Sequence, residues 1–108
     1  AYEMRTATAD PTPPSVVTGA SATGGAGQVT FNWTAPNSAN YAAARLYRNT
    51  VNSFSGATLV ATEYGAPSTP DSRTVTGLTA GVRYGFIEAI NASGVAATAV
   101  ATGSFTVT

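Results

Sequence analysis

The sequence TGLTAGVRY at residues 76–84, followed by NASG at residues 91–94, decides how the rest of the chain is interpreted. Gly77 and Gly81 bracket a short corner, where a chain that crosses between two sheets needs backbone conformations with positive φ. The segment Tyr84–Asn91 that follows carries large apolar side chains and ends at a turn with Ser and Gly. These residues predict a corner, a strand and a turn, in that order.

The clearest strand of the sequence lies upstream, at Gln28–Thr34. Val29, Phe31 and Trp33 alternate there with polar residues, the period-two pattern of a strand with one buried face. This pattern predicts that Trp33 is a core side chain. A role in stacking against a ligand is the alternative for this ring.

Turn signals recur along the whole chain and predict short strands rather than long helices. The other predicted strands are Ser15–Ser21, Tyr41–Arg48, Ala57–Glu63, Asp71–Thr76, Tyr84–Asn91 and Val95–Thr108. The three alanines at residues 42–44 have high helix propensity, but their segment is short and flanked by loops. The glycine-rich segment Ala22–Gly27 is predicted as a turn.

Two ways of counting along the strand after the corner assign opposite faces to its side chains. Counting forward from Tyr84 places Glu88 inside, whereas counting back from Asn91 places Ile87 inside and Glu88 outside. Both cannot hold on a regular strand, because a slip of one residue exchanges the two faces. A buried, unpaired carboxylate is costly, so the second count is preferred. Gly85 is then predicted to mark a local irregularity.

The composition excludes several classes of site. The 108 residues contain neither Cys nor His, which removes disulfides, cysteine metal sites and imidazole chemistry. Only 9% of the residues are charged, against roughly 25% in typical domains. The basic residues are five scattered arginines, so we predict no nucleic-acid partner. We also predict no membrane insertion, because no apolar run approaches the roughly 20 residues of a membrane helix.

Catalysis has little support in the sequence. A nucleophilic Ser or Thr needs an adjacent base, and the chain has no His and no Lys. Two carboxylates can hydrolyse a glycosidic bond, but nothing in the sequence places Glu63 and Glu88 together. We therefore predict a protein that is not an enzyme and has no catalytic, cofactor-binding or metal-binding residues.

From about residue 13 to residue 108 the chain resembles a fibronectin type III domain. Trp33, Leu78, Tyr84 and Asn91 match positions of that family. In the family, a Leu in the corner is followed six residues later by a Tyr whose ring enters the core and whose hydroxyl bonds to corner backbone. The resemblance implies an all-β, immunoglobulin-like sandwich of seven strands in two antiparallel sheets. It also implies a buried Tyr84 bonded near Leu78.

The N-terminal part has a different character from the rest of the chain. Residues 1–12 are predicted to be an extension or linker, and residues 13–108 the domain. The segment Asp10–Pro14, DPTPP, favours a stiff, extended backbone, and fibronectin modules in tandem often begin in this way. Residues Ala1–Thr8 are either a disordered end or the last strand of a preceding module.

A narrower resemblance points to a biological setting. AARLYRNT at residues 43–50, SF at 53–54, ATLV at 57–60 and ASGV at 92–95 resemble fibronectin-type modules in tail proteins of bacteriophages and prophages. This implies a structural spacer module in a virion tail or another extracellular protein. Its partners would be neighbouring domains of the same polypeptide, other tail proteins or a host surface. The alternative is a binding or accessory module of a secreted bacterial protein such as a carbohydrate-active enzyme.

One sheet face is the candidate interaction surface. If Ile87 lies inside, Glu88 faces outward, next to Arg45 and Tyr47 on the neighbouring strand of this fold. Opposite charges across strands are common surface pairs, but Tyr and Arg are also enriched where proteins meet. Arg45, Tyr47 and Glu88 are therefore predicted as a possible interaction face, with a plain surface ion pair as the alternative.

Overall fold

The computed structural model describes residues 10–108, and these residues form seven strands and no helix. The strands are β1 Thr18–Gly25, β2 Gln28–Thr34, β3 Tyr41–Asn49, β4 Thr58–Tyr64, β5 Pro70–Thr76, β6 Gly81–Asn91 and β7 Val100–Val107. They build two antiparallel sheets, with strand orders β1-β2-β5 and β4-β3-β6-β7. The predicted all-β architecture of seven strands in two antiparallel sheets is confirmed, and the alanine-rich segment is strand β3. The predictions for Ala1–Thr8 lie outside the described residues.

Within residues 10–108 there is no helix with the length and hydrophobicity that a membrane span requires.

The core fills the space between the two sheets. Val29, Phe31 and Trp33 of β2 point into it, and Trp33 is only 2% exposed. Phe31 meets Phe105 of the opposite sheet edge-on, with ring centroids 6.0 Å apart. Because alternate residues of β2 are buried as the period-two pattern predicts, the core assignment of Trp33 holds.

The first strand begins and ends later than predicted. Its predicted range was Ser15–Ser21 with a turn at Ala22–Gly27, but β1 runs from Thr18 to Gly25 and pairs with β2 almost to its end. The turn is confined to Ala26 and Gly27, where Gly27 has a φ of 63°, and Gly24 serves close packing instead. A Cβ atom on Gly24 would overlap the carbonyl oxygen of Thr106 in β7, so β1 and β7 can approach only because Gly24 has no side chain.

Strand β6 keeps one register with β3 from Ile90 to Tyr84. Ile87 is fully buried in the core, so counting back from Asn91 gives the correct faces. A Cβ on Gly85 would lie 2.9 Å from the Phe31 ring, which places Gly85 on the inner face and its neighbour Tyr84 on the outer face. The prediction of a buried Tyr84 bonded near Leu78 is therefore wrong, whereas the positive φ predicted at Gly77 and Gly81 is confirmed, with values of 73° and 145°.

The irregularity predicted at Gly85 is present, although it arises on the other strand. The pairing of β6 with β7 shifts between Gly85, opposite Gly103, and Phe86, opposite Ala101. Thr102 is thus the extra residue, and Gly103 beside it has a φ of 85°. Because β3 pairs with residues 84–90 of β6 in one register, the bulge leaves the core face of β6 intact.

Candidate functional site

The structure brings the three residues of the predicted interaction face together. Arg45 of β3 lies directly opposite Glu88 of β6, and Tyr47 is the next outward residue of β3. The Tyr47 hydroxyl donates a hydrogen bond of 2.9 Å to Glu88 Oε1. Arg45 Nη1 lies 3.5 Å from the same oxygen. The predicted contact between Arg45 and Glu88 across strands is therefore confirmed.

This polar cluster is less exposed than a surface ion pair. Glu88 is 8% exposed as a whole residue, whereas 31% of the Arg45 side chain is exposed. A carboxylate with so little access to water needs charged or hydrogen-bonding partners, and Arg45 and Tyr47 supply them. The cluster thus joins β3 to β6 on the outer side of the sheet, opposite the hydrophobic core.

Aromatic side chains that the sequence analysis did not assign to this face cover part of it. The Phe54 ring packs edge-on against Tyr47, at 4.9 Å between centroids, and against Phe86, at 5.8 Å. Phe54 comes from the loop after β3. Asn49 holds that loop, because its side-chain amide donates to the carbonyls of Ser53 and Ser55. Phe54 is the only aromatic residue at positions 50–57, which signals that its ring packs on the sheet but does not specify on which face.

The aromatic cover determines which side chains of this face a docking partner would contact first. Phe86 is buried, and Phe54 itself remains 39% exposed. The side chains of Arg45, Tyr47 and Glu88 mainly satisfy one another. Their role in docking a partner stays a prediction, and any partner would meet Phe54 and the Arg45 guanidinium before it reached Glu88.

The hydrogen bond within this cluster predicts that the Tyr47 hydroxyl contributes more to the free energy of unfolding than the Tyr84 hydroxyl. Tyr47→Phe should lower the free energy of unfolding by about 1–2 kcal/mol, because it removes a hydrogen bond to a charged, mostly buried acceptor. Tyr84→Phe is the matched control on the same face of the sheet. Since its ring lies outside the core, this change should stay within about 0.5 kcal/mol. Urea titrations of the three proteins measure this, and the reverse ranking would contradict the assigned faces of β3 and β6.

The environments of Tyr41 and Tyr47 predict that the free energy of unfolding decreases at alkaline pH. Burial, and next the hydrogen bond to Glu88, raise the pKa of Tyr47. Burial also raises the pKa of Tyr41, which the nearby Trp33 indole partly offsets. The unfolded chain therefore loses these protons first, near the ordinary value of about 10, and stability falls as pH rises through the folded-state pKa values. Urea midpoints measured from pH 8 upward should decline above that value, and less steeply in Tyr47→Phe. A flat profile would be inconsistent with these environments.

The two strand carboxylates considered for catalysis lie on opposite faces of one sheet. Glu63 of β4 is opposite the inward-facing Ala44, whereas Glu88 faces outward. Glu63 accepts a 2.9 Å hydrogen bond from Arg73 of β5 and so links the two sheets at their open edge. The pair cannot act on one glycosidic bond. Among residues 10–108 there is also no group of three or more acidic side chains arranged to hold a metal ion.

Comparison with known proteins leaves the lineage of the chain open. No protein-family model matches it, and a search of curated proteins finds no significant match.

Proposed function

We propose that this chain is a non-catalytic module of the fibronectin type III kind, which spaces and orients neighbouring domains of a multidomain protein. The arrangement of strands supports the family. β4 pairs with β3 in a four-stranded sheet, unlike the constant-type immunoglobulin sandwich, in which the fourth strand joins the first, second and fifth. The absence of cysteine also fits this family better than disulfide-bonded immunoglobulin domains.

The observation that carries the proposal is the docking of the proline-rich connector. The Asn91 side-chain amide donates to the backbone carbonyls of Asp10 and Thr12, at 2.8 and 3.0 Å. The Asn40 amide donates to Thr12 O at 2.8 Å and to the Asp10 carboxylate at 3.1 Å. The Asp10 amide in turn donates to the Ser93 hydroxyl. These bonds hold the connector against the loops at one end of the sandwich, which suits a module whose orientation matters.

The two ends of the described chain lie at opposite ends of the sandwich. Asp10 contacts the end of β6, at Asn91. Thr108 exchanges two backbone hydrogen bonds with the turn between β1 and β2, beside the start of β6 at Gly81. The 11 residues of β6 span about 33 Å, which separates the two points. Polypeptide that enters before Asp10 and leaves after Thr108 would therefore run along the long axis, as in a row of spacer modules.

The proposed setting is a tail protein of a bacteriophage or prophage, in the virion or outside the cell. Three of the segments that resemble tail modules lie in β3, the loop after it and the first part of β4, and the fourth lies directly after β6. In this setting the partners are neighbouring domains of the same polypeptide, other tail proteins or the host surface. The alternative is an accessory module of a secreted carbohydrate-active enzyme, which specific binding of a glycan would support.

The docking of the connector can be tested by measuring backbone order. ¹⁵N relaxation should show the Thr12 amide to be as rigid as those of the strands, and Asn40→Ala should increase its mobility because two hydrogen bonds to the connector are lost. Asn37→Ala is the matched control, since Asn37 lies in the same loop but bonds Ser68 instead. A mobile Thr12 in the unaltered protein would remove the main support for an orienting role.

The same connector should respond to acid. The Thr12 backbone amide, followed by the Asn40 side chain, holds the pKa of Asp10 below its usual value. The carboxylate therefore favours the docked connector at neutral pH, and this contribution is lost as pH falls through the lowered pKa. The Thr12 amide should gain mobility as pH falls below the ordinary Asp pKa of about 4 and through the lowered pKa of Asp10, before the strands unfold. Mobility that is independent of pH would indicate that the carboxylate does not hold the connector.

A screen for glycan binding distinguishes a spacer module from a binding module, because only the binding module would retain a specific glycan. A glycan array probed with the 108-residue chain should show no specific binding. Specific binding that Arg45→Ala or Phe54→Ala abolishes, with the fold intact by circular dichroism, would favour the accessory module and overturn the spacer.

A further inference from the structure

A small cavity lies at the corner between β5 and β6, and we call it the corner cavity. It encloses about 90 Å³ and is lined by Arg48, Gly77, Leu78, Thr79, Arg83 and Val107. This volume exceeds the roughly 30 Å³ that one water molecule occupies. The corner cavity is thus large enough for a small polyatomic ion.

Its two arginines reach the inner side of the sheet because of the register of β6. Arg83 lies opposite Phe105 and Arg48 opposite Gly85, and both are on the face that carries the core. Arg48 and Arg83 are diagonal neighbours across the two strands, which places their Cβ atoms within about 8 Å. The slip that turns Tyr84 outward therefore puts a second guanidinium beside the first.

Within residues 10–108, neither arginine of the corner cavity forms an ion pair with a carboxylate. Arg45 and Arg73 each have a carboxylate oxygen within 3.5 Å, but no such contact is formed by Arg48 or Arg83 in the described chain. The Nε atom of Arg48 is buried and has no hydrogen-bond partner among the described residues. Arg83 Nη1 donates a hydrogen bond to the carbonyl of Val82, which leaves the other N–H groups of this guanidinium to bind an anion. Two guanidinium groups thus line one cavity, and neither is paired with a carboxylate among the described residues, an arrangement that suits an anion.

We propose that the corner cavity binds one oxyanion between Arg48 and Arg83. The planar donor fork of Arg matches the oxygens of carboxylate and phosphate groups, and the hydroxyl of Thr79 lines the same space. The ligand is either a free inorganic oxyanion or the carboxylate of a polypeptide segment. The cavity lies beside Val107, at the end of the sandwich where Thr108 bonds to the turn between β1 and β2, so an acidic side chain of a polypeptide that docks at this end would reach it. The proposal does not depend on the spacer role.

The test is an NMR titration of the 108-residue chain at constant ionic strength. Inorganic phosphate and acetate replace chloride in separate titrations, while the amides of residues 77–79 and the Nε–H signals of Arg48 and Arg83 are followed. We expect saturable shifts confined to these groups. Arg48→Gln and Arg83→Gln should each weaken binding about tenfold or more, as expected for the loss of a hydrogen bond to a charged group. Arg73→Gln lowers the net charge equally and should leave the affinity unchanged.

The outcomes separate the two sources of the anion. Phosphate binding without acetate binding identifies a free inorganic oxyanion. Binding of acetate, and tighter binding of a short peptide that contains Glu, identifies a polypeptide carboxylate. Shifts no larger than those in chloride, or equal weakening by Arg73→Gln, overturn the proposal. If the cavity variants do not fold, the titration of the unaltered protein decides, because shifts spread over all arginines would contradict a site at the corner.

Discussion

Replacing Gly24 with alanine is expected to lower the free energy of unfolding by about 3 kcal/mol, at the upper end of the range for overpacked sites. The added methyl group would overlap the backbone of Thr106 in β7. Backbone in a paired strand cannot turn aside as a flexible side chain can, so β1 and β7 would have to separate. Their separation would open the edge of the sandwich beside Val107, a fully buried core residue. Urea unfolding followed by tryptophan fluorescence measures the change.

Gly25→Ala is the matched control for this prediction. It lies next to Gly24 in β1, but its added Cβ would meet the side chain of Gln28 at 3.1 Å, and that side chain can move. We expect a loss of about 1 kcal/mol or less. Equal losses in the two variants would show that the close approach of β1 to β7 is not what requires glycine at position 24.

Trp33→Ala is expected to lower the free energy of unfolding by about 3–5 kcal/mol. Trp33 is the largest side chain of the core and is buried between the sheets, so its removal leaves a cavity that the rigid strands around it cannot close. Urea unfolding followed by far-ultraviolet circular dichroism measures the loss, since the variant contains no tryptophan.

Trp33→Phe is the control that separates volume from hydrogen bonding. The indole N–H of Trp33 is buried and forms no full hydrogen bond with the described residues, although the Tyr41 hydroxyl lies near it, so its removal costs little in lost hydrogen bonding. The phenylalanine variant should therefore lose clearly less stability than the alanine variant. Equal losses would mean that the ring does not stabilise the core by filling volume.

Much of the fold follows from local sequence. The alternation in β2 is a property of a few consecutive residues, and the observed strand has the predicted bounds Gln28–Thr34. The positions of β3 to β5 agree with their predicted ranges to within one residue at either end. Turn residues and apolar periodicity act over short distances, and for this reason they are readable without knowledge of the partner strands.

The errors occur where two strands must be compared. The glycines of β1 signal a turn as readily as a close contact, and only the position of Thr106 distinguishes the two. Tyr84 has the sequence spacing of a core residue, yet the register that buries Ile87 turns it outward. Because side chains alternate along a strand, one inserted or deleted residue changes the face of every residue on one side of it.

The candidate interaction face was predictable in part, because side chains alternate between the two faces of a strand. Once the count from Asn91 was chosen, Arg45 and Glu88 had to face the same side of neighbouring strands, and they do. The cover by Phe54 was not predictable, because a loop can fold over either face of a sheet and its own sequence carries no period. The low exposure of Glu88 is likewise a result of tertiary packing.

The sequence by itself determined the class of this protein and the chemistry that it lacks. Apolar segments separated by turn residues predict short strands rather than long helices, and the resemblance to fibronectin type III domains implies their arrangement in two sheets. The absence of Cys and His is a fact of composition that no fold can change. Only the tertiary structure decided that Arg73 pairs with Glu63 and that Arg48 and Arg83 line one cavity. Arg45 and Arg48 are three residues apart in one strand, so they lie on opposite faces. The first meets Glu88, and the second faces Arg83 across the corner cavity. Nothing in the local sequence of either arginine specifies its partner, because the partner is set by the register of a strand some 40 residues away.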